Sequence, residues 1–352
     1  MRRKLFHFVV AASMAAGSMV SAVQAAVVSF GSFTGDFVTV GDPGNTADSS
    51  GYGAVSATFD IMKFEFTNQQ YVQFLNTVDA NGTNPNDIYL TNMSTDTRGG
   101  IDFTAGNAAG SKYQSKSNMG NKPVGYVSWF DAARVANWLH NGATATSSTE
   151  TGAYDLGNLT TGTPPAKNPG ARYWVPSEDE WYKAAFYKGG STSAGYWPYA
   201  TQSDTAPTKV SGNAVGDGSA GSTGNFANYG NNATWITNSS GTPTSQYTTV
   251  GTNGGSSVYG TFDMSGNANE WVSLMSVDGT NAAFRGGGRG SGSVDSSVRT
   301  LRDAGSDGGL NSTAFRIASL STSPAAVPEP SMMVIGTLFG LGGLVAKRRR
   351  KV

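Results

Sequence analysis

Most of this chain cannot be regular structure, because its polar runs are longer than any of its candidate elements. Residues 81–121, 142–170 and 190–247 are dominated by Gly, Ser, Thr and Asn and carry neither a helical nor a strand period. Between them stand three helix starts. Thr67-Asn68-Gln69-Gln70 is a capping box that opens a helix with Tyr71, Phe74, Leu75 and Val78 on one face. Ser128-Trp129-Phe130-Asp131 opens a second, with Ala132, Val135 and Leu139 in line and Asn141-Gly142 as its stop. Ser177-Glu178-Asp179-Glu180 opens a third, expected to run to Gly189-Gly190. Each has a short apolar lead that reads as a strand, namely 59–62, 124–127 and 172–175. The 47 glycines match the long loops, while an aromatic content of 11% requires a real core. No repeat of solenoid or propeller length is evident.

Composition excludes several chemistries. There is no cysteine, so disulfides, thiolate metal sites and cysteine nucleophiles are absent. Of the two histidines, His7 lies in the first ten residues, and His140 alone cannot build a histidine-ligated zinc or iron site. A serine triad lacks its nucleophile elbow, since no Gly-x-Ser-x-Gly turn precedes a helix.

Both ends read as targeting segments. Arg2, Arg3 and Lys4 precede an apolar, Ala- and Ser-rich run that ends in small residues around Ala25, the pattern of a signal peptide covering residues 1–25. At the other end Pro328-Glu329-Pro330 leads into an uncharged apolar stretch, 331–346, and then a basic tail, 347–352. Sixteen helical residues rise roughly 24 Å, short of a hydrocarbon core of ~30 Å, but flanking Lys and Arg can snorkel. The basic cluster would stay cytoplasmic and the large domain would lie outside. The order of Pro-Glu-Pro, apolar helix and basic cluster resembles the PEP-CTERM sorting signal, which implies export, cleavage by signal peptidase and an exosortase, and display at the cell envelope or in exopolysaccharide. An uncut C-terminal anchor is the alternative.

Eight of the 24 basic residues belong to these ends, leaving 16 basic against 24 acidic residues between them, about −8. That balance speaks against nucleic acid and anionic membrane surfaces as partners.

The blocks Phe64 to Tyr71, Pro123-Val124 with Val127 to Ala133, Trp174 to Trp181, Gly260 to Val272, Phe284 to Gly288 and Ala314 to Ile317 follow one another over about residues 38–318. In this order they resemble the sulfatase-modifying factor, or formylglycine-generating, family. The resemblance implies an α+β, C-type-lectin-like fold, loop-rich with little regular secondary structure. It divides the chain into a lead at 26–37, the domain at 38–318 and a linker at 319–330 that contains the Pro-Glu-Pro motif.

In catalytic members of that family two cysteines after the Arg-Gly-Gly block hold copper. Counted from Gly286-Gly287, those slots fall on Ser291 and Ser296. A serine hydroxyl is a hard, weakly basic donor and does not replace thiolate toward Cu(I), so neither copper nor the family's oxidase chemistry is expected. The resemblance also implies calcium beside the Gly-Asn-x-x-Glu-Trp block, through Asn267 and Glu270, with Asn228 as a weaker second position. The other reading is that Asn267 caps a turn, Glu270 bonds loop amides and Trp271 fills core. Trp129, Trp138, Trp174, Trp181 and Trp271 are read as core. Arg285, Arg289, Arg299 and Arg302 would surround the vacated groove and meet an acidic sugar or a peptide carboxylate, or else pair with Asp295 and Asp303. The expected function is a non-catalytic binding module for a polysaccharide or an envelope protein. An enzyme using carboxylates in the same groove, or a structural matrix protein, are the alternatives.

Overall fold

A computed structural model describes residues 26–30, 33–275, 282–292, 294 and 312–321. The signal-peptide segment, Pro328 to Pro330, the apolar stretch 331–346 and the basic tail lie outside them. Among the described residues no helix is long and apolar enough to cross a membrane.

The regular elements are few and short, and the domain is α+β and loop-rich. Strands β1 (Ala26–Phe30), β2 (Phe33–Val40) and β3 (Phe59–Met62) are followed by helices α1 (Asn68–Val78) and α2 (Trp129–His140), strand β4 (Tyr173–Trp174) and helix α3 (Glu178–Phe186). Then come β5 (Asn269–Met275), β6 (Ala282–Arg285), β7 (Thr313–Ala314) and β8 (Ala318–Leu320). One sheet has the order β1-β2-β3-β8-β4, so the last strand enters between two earlier ones, Ala318 pairing with both Ile61 and Trp174. A second sheet, β6-β5-β7, pairs Glu270 with Arg285 on one side and with Ala314 on the other.

The capping boxes set the three helix starts. At α2 the Asp131 amide donates to Ser128 Oγ at 3.1 Å, and the Ser128 amide donates to Asp131 Oδ2 at 2.7 Å. The same reciprocal pair joins Thr67 to Gln70 and Ser177 to Glu180. Each satisfies two amides that a helix terminus would otherwise leave open.

Three expectations shift. The third helix stops at Phe186, before its glycines, because Tyr187 turns extended and its neighbour Lys188 bonds to Gly195. The lead 124–127 is not a strand, since Tyr126 takes a left-handed φ of 62° that interrupts extended pairing. Residues 26–37, read as a lead, carry β1 and the first half of β2, where Phe33 and Phe37 are buried.

The core is aromatic. Trp129, Trp138, Trp181 and Trp271 are all buried, and Phe66 stacks on Phe315 at 4.9 Å, joining the block before α1 to the block before β8. Buried amides brace the long loops: Asn137 on α2 donates to the carbonyls of Thr149 and Tyr154, and Asn68 on α1 to that of Met119. Loop carbonyls that no ladder satisfies find donors in this way.

Candidate functional site

Two glycine blocks are stitched together at the centre of the domain. Gly266 donates to the Gly286 carbonyl at 2.8 Å, Asn267 to that of Asn228 at 2.7 Å, and Arg289 to that of Asn267 at 2.9 Å. Gly266 has a φ of 98°, and a Cβ there would stand 2.7 Å from the Asn228 carbonyl oxygen. Only glycine admits both the backbone conformation and this approach.

β5 then carries Glu270 into the core, where Arg316 meets it. Arg316 Nε lies 2.5 Å from Glu270 Oε2 and its Nη2 lies 2.6 Å from Oε1, while Trp181 Nε1 donates to Oε2 at 2.8 Å. The remaining guanidinium donors reach the carbonyls of Met62, Lys63 and Phe262. Neither side chain is exposed. Two further acids border the pair. Asp263 accepts from the Gly251 amide and from Asn253, and Glu65 accepts from Asn267 Nδ2 at 3.1 Å through one oxygen while its Oε2 has no partner among the described residues. Burial, then the charges of Asp263 and Glu270, push the Glu65 carboxyl well above the usual range, with Arg316 acting against them.

This geometry does not fit a calcium ion at the Gly-Asn-x-x-Glu-Trp block. Both oxygens of Glu270 are held by Arg316 and Trp181, so a cation would have to displace a guanidinium. Asn267 Oδ1 accepts from Asn228 and from the amide and hydroxyl of Thr248. Asn228 Oδ1 is buried without a partner among the described residues, but one such oxygen falls far short of the six to eight that calcium takes. Among the described residues no group of three His, Cys, Asp or Glu is placed to hold a metal.

The arginine expectation divides. Arg285 is buried, paired with Glu178 and stacked between Tyr52 and Tyr182, with its guanidinium carbon 4.8 Å from each ring centroid. Arg289 is also buried and lies over Tyr247 at 5.3 Å. Neither stands on an open groove wall. Arg299, Arg302 and Ser296 lie outside the described residues. Ser291 lies partly exposed in a turn, its amide bonded to Gly288 and its carbonyl to Gly230. Its hydroxyl offers copper none of the soft donor character that a thiolate would.

Sequence reasoning missed Glu65, Asp263 and Arg316. All three stand inside the matched blocks, and the sign available was chemical: an acid between Phe64 and Phe66, and a base between Phe315 and Ile317, must be paired or neutralised once their neighbours are buried.

The sequence pattern of the sulfatase-modifying factor enzyme 1-like domain matches residues 20–319. No curated protein matches the chain. Among solved structures it is similar to CarF, at 22% identity and a TM-score of 0.49, over 82% of this chain and 98% of that one. Treponema denticola variable protein 1 is similar at 16% identity and a TM-score of 0.49, over 84% and 99%. PvdO from Pseudomonas aeruginosa is similar at 18% identity and a TM-score of 0.44, over 84% and 98%.

Proposed function

Because this chain belongs to the sulfatase-modifying factor enzyme 1-like family, we propose that it is a binding member of that family, one that does not make formylglycine. The observation that carries the reading is the absence of any cysteine, with Ser291 and Ser296 in the slots where the family's chemistry requires thiolates. The carboxylate-enzyme alternative has less support, since Glu270 and Glu178 are neutralised by Arg316 and Arg285 within the core.

The rest of the proposal concerns place and partner. The basic start, the Pro-Glu-Pro motif and the apolar run before a basic tail support export and exosortase sorting to the cell envelope or to exopolysaccharide. The acidic balance between the two ends supports a partner that is neutral or cationic, a polysaccharide or an envelope protein, and not nucleic acid. Copper retention tests the reading. After loading with Cu(I) and dialysis, the wild-type chain is expected to keep none, whereas Ser291→Cys with Ser296→Cys retains the ion. One equivalent held by the wild type would overturn the reading.

A further inference from the structure

A cavity of about 320 Å³ opens between the start of α2, β4 and the first turn of α3, and Ser291 is not among its lining residues. Its size lies at the low end of small-molecule sites, about 300–1,000 Å³, which suits one ring and its substituents rather than a length of chain. Trp129, Trp174 and the adjacent Pro164 and Pro165 give it flat apolar walls.

Three polar features in these walls are unfinished. Trp129 is 1% exposed, yet its indole N–H has no acceptor among the described residues. A buried donor of this kind is normally satisfied, and Trp129 is among the residues that line the cavity. Glu180 accepts from Trp174 Nε1 and from the Ser177 amide through Oε2, both at 2.8 Å, while Oε1 accepts no hydrogen bond among the described residues. Lys167, on the exposed edge of the cavity, lays its ammonium 3.7 Å from the centroid of the Trp174 ring and makes no ion pair among the described residues. An indole face with a carboxylate beside it attracts an ammonium group. In this structure the chain's own lysine covers the ring face, with no ion pair to Glu180 among the described residues.

We propose that this cavity binds one pyranose ring of an amino sugar bearing a free ammonium group. The ammonium takes the place of Lys167 over Trp174 and beside Glu180, the C–H face of the ring packs on the aromatic and proline walls, and a hydroxyl or ring oxygen accepts from Trp129. A neutral sugar lacks the charge needed to replace Lys167, and a simple alkylammonium lacks the oxygen that Trp129 requires. The acidic balance of the domain favours a cationic glycan in the same sense. The inference rests on the reading of the chain as a binding module and names the ligand class and the place.

Calorimetric titration of the purified full chain would use three probes of equal length: a β-1,4-linked glucosamine trimer, its N-acetylated counterpart and a glucose trimer. Saturable binding of the free-amine trimer alone is expected. Lys167→Ala should tighten it several-fold by removing the internal competitor, and Glu180→Gln, which keeps an oxygen for the Ser177 amide, should weaken it at least tenfold at an unchanged melting temperature. Should Glu180→Gln lower the melting temperature, the Lys167→Ala result decides, since that exposed side chain holds no buried contact network. Equal binding of the acetylated or glucose trimer, or affinity unchanged or weakened in Lys167→Ala, would overturn the proposal. Failure of the free-amine trimer in a chain that still binds other glycans would sink this site and leave the binding-module reading standing.

Discussion

Arg316 grips Glu270 through two parallel hydrogen bonds, at 2.5 and 2.6 Å, with both side chains fully buried. The pair ties β5 to the segment between β7 and β8, and through the Arg316 contacts with Met62 and Lys63 it reaches the end of β3. Removing one partner leaves a buried charge without compensation, a change that typically costs about 3–5 kcal/mol. Glu270→Gln is therefore expected to destabilise the domain by that order in urea unfolding. The double variant Glu270→Met with Arg316→Met should lose less than the sum of the two single changes, because it removes both charges together.

The same pair predicts indifference to calcium. Melting curves in millimolar calcium and in EGTA at matched ionic strength should coincide, since the Glu270 oxygens are engaged by a guanidinium. A ligand that bound only the folded state at 100 times its Kd would add about 2.7 kcal/mol and raise the midpoint. Such a rise, lost in Glu270→Gln, would contradict the assignment.

Asp131 predicts a pH dependence. Burial raises its carboxyl to about 6, against the Ser128 backbone and side-chain hydrogen bonds and the nearby charge of Arg134, with Asp87 adding to the rise. Because the folded-state value lies above the unfolded one, the native state holds the proton more tightly between about pH 4 and 6. Stability contributed by this group is thus greatest in acid and is lost as pH rises through that window, by at most about 3 kcal/mol. Asp131→Asn keeps an acceptor for Ser128 and removes the titration. Its stability should change less than that of the wild type between pH 4 and 7, and parallel curves would count against the assignment.

The helices were legible because their signals are local: Thr67, Ser128 and Ser177 sit three residues before Gln70, Asp131 and Glu180, and each box closes as the spacing predicts. The sheet was less so. β8 enters between β3 and β4 across most of the chain length, and no short pattern around Ala318 announces that partnership. At the site, the blocks marked which residues converge but not their roles. Glu270 and Arg285 looked like ligand-facing groups, yet each is balanced by a partner far away in sequence, Arg316 and Glu178. A pairing across such a separation is a property of the fold and cannot be read from either residue's neighbours.

Processing at the ends is testable by mass. In a host with an exosortase, protein recovered from envelope and medium should lack the residues beyond Pro330, as the order of Pro-Glu-Pro, apolar run and basic tail implies. An intact mass that includes Lys347 to Val352 would show that the segment is retained as an anchor.

The central claim is that this family member binds without performing the family's oxidation. Incubation of the purified chain with Cu(I), oxygen and a sulfatase-type cysteine peptide, followed by mass spectrometry of the peptide, addresses it most directly. With Ser291 and Ser296 in place of thiolates, the peptide mass is predicted to remain that of the cysteine form and oxygen to go unconsumed. Conversion of the cysteine to formylglycine by the wild-type chain would contradict the account.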